Sequence, residues 1–195
     1  MAEEIGDSTV VASRTLVAAI EGEYKRYKTL GDGACAQLNE DELNAQAGAE
    51  SNSIAMVCWH VSGNLASRFT DFLISDGEKV WRVREEEFAE RNVTRAEFDS
   101  KWEAGWKALL DTIASLTDAD MDRMVTIRRV PLSVRDALLR SLAHASYHVG
   151  QIVYIAKALK GPGWRYLTIP PGKSDEYNKD PKYEKPADLA AHVKR

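Results

Sequence analysis

The sequence is poor in most features that announce a function. Two of its 195 residues are cysteine, Cys35 and Cys58; one disulfide is arithmetically open, and a disulfide framework is excluded. Five of the six prolines lie beyond Gly161, so little before that point interrupts a long helix. No stretch approaches the roughly 18 consecutive apolar residues of a membrane-spanning helix. Neither charge sign dominates: 26 Lys and Arg are interspersed with 30 Asp and Glu, for a net charge of -4. That mixture gives no broad basic surface and argues against a nucleic-acid partner. The N-terminal "MAEEIGDSTVVASRTL" carries acids and lacks a basic region leading into an apolar run. No secretory signal is therefore expected, and the expected compartment is the cytoplasm. A Gly-rich phosphate loop and a Ser-His-Asp order are also missing.

What remains is helical. The chain is 44% hydrophobic and 29% charged, an ordinary globular composition. Four long segments have helical periodicity, at roughly residues 8–30, after "ESNS" to about Leu73, from Thr94 through "FDSKWEAGWKALLDTIASL", and from Ser133 to Gly161. Ser51, Asn52 or Ser53 can cap the second, and Thr94 with Glu97 forms a capping box for the third. Gly161-Pro162-Gly163 stops the fourth. "LNEDELNAQAGAESNS" reads as a helical turn and a loop, and "RMVTIRRVPLS" as a short extended piece or small hairpin. The expected fold class is all-α, a four-helix bundle over residues 1–161. Residues 162–195 form a Pro-rich C-terminal extension that packs in part on the bundle. Trp164, Tyr166, Leu167 and Ile169 would pin its first half; its end is expected to be looser, with one short helix around "ADLAAHVK".

"HASYH" places His144 and His148 four residues apart, on one helical face. Both lie on the flank of their helix's apolar stripe, roughly 100° and 60° from its centre, and His60 lies roughly 130° from the stripe of the second helix. Two imidazoles from one turn and one from a facing helix make three nitrogen ligands, which suits a divalent metal with an open position. Half-exposed histidines with no ligand fit the same spacing. The zinc-protease pattern is excluded, because Ala145 stands where its general-base glutamate would follow the first histidine. Cys58 diverges from His60 by roughly 160° around the helix and reads as a small core hydrophobe. The fourth histidine, His192, has no assigned role.

"ESNSIAMVCWHVSGNLASRFTDFLISDGEK" (50–79), "LLRSLAHASYHVGQIVYIAKAL" (138–159) and "LTIPPGKSDEYN" (167–178) together resemble the DinB/YfiT-like superfamily of metal-dependent proteins. The resemblance is to its bacterial branch with an extended C-terminal segment, and it runs to about Asn178. It implies a bundle of up-down-down-up order and a divalent metal, zinc or nickel above all, held by His60, His144 and His148. It also implies a homodimer and reactions that use a low-molecular-weight thiol as cofactor.

Three function classes follow. In an enzyme, the metal would activate a water or a thiol against a small-molecule substrate, with Asn64 and Gln151 orienting ligands or touching substrate. In a non-catalytic metal-binding or stress-response protein, the metal would couple two helices and stabilise them. In a partner-binding bundle, Trp59, Trp102 and Trp106 would be exposed and build a dimer seam; otherwise they pack under the loops. No individual catalytic residue is assigned. "WRVREEEFAER" reads as a solvated charged segment. Arg165 and Lys173 would meet an anionic substrate only if the tail folds over a cleft.

Overall fold

Ser53 opens the central helix by accepting a hydrogen bond from Met56 N at 3.2 Å. In the computed structural model, which describes residues 12–46, 48 and 50–193, the chain is mostly helical with one small sheet. Four long helices dominate: α1 (Thr15–Cys35), α3 (Ile54–Phe69), α5 (Arg95–Ala114) and α6 (Val134–Lys160). Short helices α2 (Glu40–Asn44), α4 (Arg84–Glu87), α7 (Ser174–Lys179) and α8 (Pro186–Val193) fill the connections and the tail. The hairpin pairs β1 (Met124–Ile127) with β2 (Val130–Ser133), antiparallel, with Ile127 opposite Val130.

Local signals in the sequence set several ends. The Thr94–Glu97 capping box is formed, Ser133 caps α6, and Gly161, with φ of 50°, ends it. The first helix is the exception. Its expected start at residue 8 lies outside the described residues, and α1 begins at Thr15. No side chain of its own caps it; the Asp118 carboxylate, far along the chain, accepts the N–H groups of Thr15, Leu16 and Val17 at 2.7–3.0 Å. Its other end passes the expected stop at Leu30 and reaches Cys35. Packing overrides propensity there, with Gly31 lying directly under the Trp102 ring.

α3 runs through the middle. Fourteen of its sixteen residues are buried, every one except Trp59 and Ala66. The expected single apolar stripe with flanks is therefore corrected: a helix covered on all sides has no solvent flank, and His60 is only 4% exposed. Both cysteines are buried free thiols, and burial pushes the Cys58 thiol up to about 12.

Trp59, Trp102 and Trp106 pack and form no exposed seam. Trp102 and Trp106 are core residues, edge to face at 5.5 Å, and Trp102 Nε1 donates to Asp32 at 2.7 Å. Trp59 is half-buried beneath the Arg91 and Lys101 cations. In the tail, Trp164 and Leu167 are buried, whereas Tyr166 is 39% exposed. The short helix expected around "ADLAAHVK" runs from Pro186 to Val193 and lies on α1, with Leu189 buried. No helix among the described residues is long and apolar enough to cross a membrane.

Candidate metal centre

Two polar stripes face each other across the gap between α3 and α6. On α3 the stripe is His60, Asn64 and Arg68; on α6 it is Arg140, His144 and His148. Each repeats every four residues, so each lies along one helical face. Where the stripes meet, the candidate ligand atoms of His60, His144 and His148 all lie within 4.8 Å of one another. The rings stand nearly edge to face, with centroids 4.6–5.2 Å apart. His60 is buried, and His144 and His148 are half-buried.

Two of the three rings have their far nitrogen fixed. His60 Nδ1 lies 2.9 Å from Glu87 Oε2, and His148 Nδ1 lies 2.7 Å from Gln151 Oε1. A carboxylate and an amide oxygen only accept. Each Nδ1 therefore carries the proton, and each Nε2 presents a lone pair. Such an outer partner on the opposite nitrogen accompanies most metal-ligating histidines.

His60 Nε2 and His144 Nε2 are 3.2 Å apart. Two nitrogens at zinc-ligand distance around a tetrahedral ion would be about 3.3 Å apart. The same spacing holds one N–H···N bond when His144 carries its proton on Nε2. The donor set and the fixed tautomers fit a divalent transition metal.

The electrostatics keep the His144 and His148 rings neutral. Burial, then His148 and His60, push His144 down to about 3. His148 is also pushed down, by burial first and then by His60, against the raising effect of Gln151. Neutral imidazoles are the form that binds metal. Behind His60, Arg82 Nε and Nη2 grip the two oxygens of Glu87 at 2.7 and 2.8 Å. Burial opposes ionisation of Glu87, but hydrogen bonds from Arg82 and His60 outweigh it and hold the carboxyl below its ordinary range.

Glu87 and Arg82 correct the reading of "WRVREEEFAER" as a solvated segment. Glu87 is 7% exposed and the Arg82 side chain 2% exposed, because this stretch folds back onto α3. A signal for this existed in Gly63, a glycine inside a helix and about one turn from His60. A Cβ there would come within 2.9 Å of Glu87 Cδ, so the glycine leaves room for the carboxylate.

Asn64 lines the cleft beside His60 and His144, and Gln151 reaches His148. Tyr147 points outward at 64% exposure. Arg165 and Lys173 do not line the cleft, and His192 stacks on Tyr183 in the tail. A family model described as a protein of unknown function, DUF1572, matches residues 11–173. No curated protein matches the chain.

Proposed function

The chain belongs to the family of proteins of unknown function DUF1572, and we propose from its site that it is a divalent-metal-binding protein working as a metal-dependent enzyme. One observation carries this reading: three imidazoles converge, and two have the opposite nitrogen tied to Glu87 and Gln151. His60, His144 and His148 would hold the metal, with zinc or nickel the best fit to an all-nitrogen set. When bound, the metal supplies a Lewis acid that makes a water or a low-molecular-weight thiol nucleophilic near neutral pH.

The chain's own groups do the rest. Glu87 holds the His60 proton on Nδ1, and Arg82 holds Glu87 ionised. Gln151 orients His148 in the same way, and Asn64 offers an amide to whatever enters the cleft. Phe88, 4.5 Å from the His60 ring between centroids, covers the ring and limits water around it.

The four long helices and the His-x-x-x-His spacing support a DinB/YfiT-like four-helix bundle of up-down-down-up order. In this reading the protein is cytoplasmic and pairs as a homodimer through a surface other than the buried tryptophans. The test is metal content by plasma mass spectrometry on protein purified without a nickel column, beside His148→Ala. About one equivalent of a transition metal, lost in the variant, is the expected result. No metal in either, even after incubation with zinc or nickel, overturns the reading.

A further inference from the structure

The cleft that opens beside the histidines has a volume of about 210 Å³ and an unusual wall. Five arginines line it: Arg68 from α3, Arg82 and Arg84 from the segment around α4, Arg128 from the hairpin turn, and Arg140 from α6. Chain segments far apart in sequence thus deliver the same side chain to one small space. Guanidinium groups gathered so closely repel one another unless anions answer them.

The protein answers only part of that charge. Glu78 pairs with Arg68 at 3.2 Å and with Arg128 at 2.8 Å, and Glu87 takes Arg82. Arg84 pairs with the highly exposed Glu85, at 3.1 Å, and stacks over the Phe88 ring at 4.9 Å. Arg140 has no ion-pair partner among the described residues. One further group in the wall is unspent. Arg82 Nη1 is buried and makes no hydrogen bond with the described residues, where buried polar groups are ordinarily paired.

Arg128 adds an independent sign. It and Arg129 form the two-residue hairpin turn with φ of 54° and 65°, a conformation that favours Asn-Gly. The Asp76 carboxylate holds that turn by accepting both backbone N–H groups, at 2.9 and 2.7 Å. The turn thus spends an unfavourable residue type on bringing a guanidinium to the cleft.

The geometry points to a binding site for the oxyanion of a small organic substrate, a carboxylate or phosphate group seated among Arg82, Arg84, Arg128 and Arg140. Guanidinium forks match both groups, and the cleft is too small for a macromolecule. His60 and His144 form one end of the same wall, so the substrate's reacting end would face the candidate metal centre. The inference deepens the metal-enzyme reading and rests on it for what that reacting end meets.

The experiment titrates the full-length protein with inorganic phosphate, and separately with succinate, by calorimetry at low salt. Metal content is measured on the same samples. Arg84→Gln and Arg140→Gln are combined, because both side chains are exposed and neither hydrogen-bonds or ion-pairs with a histidine or Glu87. The expected result is one-to-one binding of at least one probe, weakened about tenfold or more in the double variant, with metal content unchanged. Which probe binds separates a carboxylate from a phosphate site. Absence of binding by either probe, in protein that carries its metal, overturns the inference. Binding that survives the arginine changes but disappears in His148→Ala also overturns it, because the anion then sits on the metal. Arginine-dependent binding in protein that holds no metal supports the oxyanion site and overturns the metal reading instead.

Discussion

α3 meets its two main neighbours in opposite ways. Against α5 the backbones nearly touch: a Cβ on Gly105 would lie 2.5 Å from Ser62 Cα. Cys58 and Ser62 share a weak contact at 3.9 Å on that side, and Cys58 Sγ lies 4.0 Å from Phe98 O. Against α6 the helices leave the cleft, and His60, Asn64 and Arg68 all face it. One helix, buried all round, therefore carries a packing flank and a chemical flank. The difference teaches where to look for function in a helical protein. A close-packed seam has no room for a ligand, whereas a gap lined with costly polar groups needs a reason to exist.

The sharpest break of this comparison is Glu87→Ala. It leaves a buried guanidinium and the His60 Nδ1–H unpaired, and the expected loss is about 3–5 kcal/mol in denaturant unfolding. The double variant Arg82→Met/Glu87→Leu should recover much of that stability without restoring metal affinity. Full recovery of both would remove Glu87 from the site. Next in size is chelation. If the metal binds the native state, removing it at a hundredfold excess over Kd lowers apparent stability by about 2.7 kcal/mol. The fall in Tm should vanish in His148→Ala; an equal fall in the variant would place the metal elsewhere.

On the packing flank, Gly105→Val should destabilise by about 1–3 kcal/mol through overpacking, yet leave metal content unchanged. A variant that lost metal along with stability would show the two flanks to be one cooperative unit. The smallest effect, read only down to pH 5.5, is with pH in the metal-free protein. His144 is held at about 3 in the folded chain, against about 6.5 unfolded. The unfolded state therefore binds the proton first. Stability is full well above pH 6.5 and is lost as pH falls toward 3, with about 1.4 kcal/mol gone by pH 5.5. Urea midpoints across that range should flatten in His144→Gln, and an unchanged slope would assign the acid sensitivity to other groups.

The helices were legible because their signals are local. Thr94 with Glu97, Ser133, and Gly161 each fix an end with residues a few positions apart. The start of α1 was not legible, because its cap, Asp118, arrives from about a hundred residues away. The histidines could be singled out from the four-residue spacing on α6 and the lone His60 on α3. Arg68 and Arg140 each continue a stripe by one turn, and nothing local in the sequence separates an arginine facing a cleft from one in solvent. Glu87 was hidden among neighbouring glutamates in "REEE", where no local pattern marks the one that is buried.

By itself, then, the sequence determined the helical class, most helix ends and the three histidines, because capping and periodicity act within a few residues. Tertiary structure decided which charges are buried. It brought Glu87 and Arg82 behind His60 and drew five arginines from distant segments to one cleft, because the fate of a charged side chain depends on which surface folds over it.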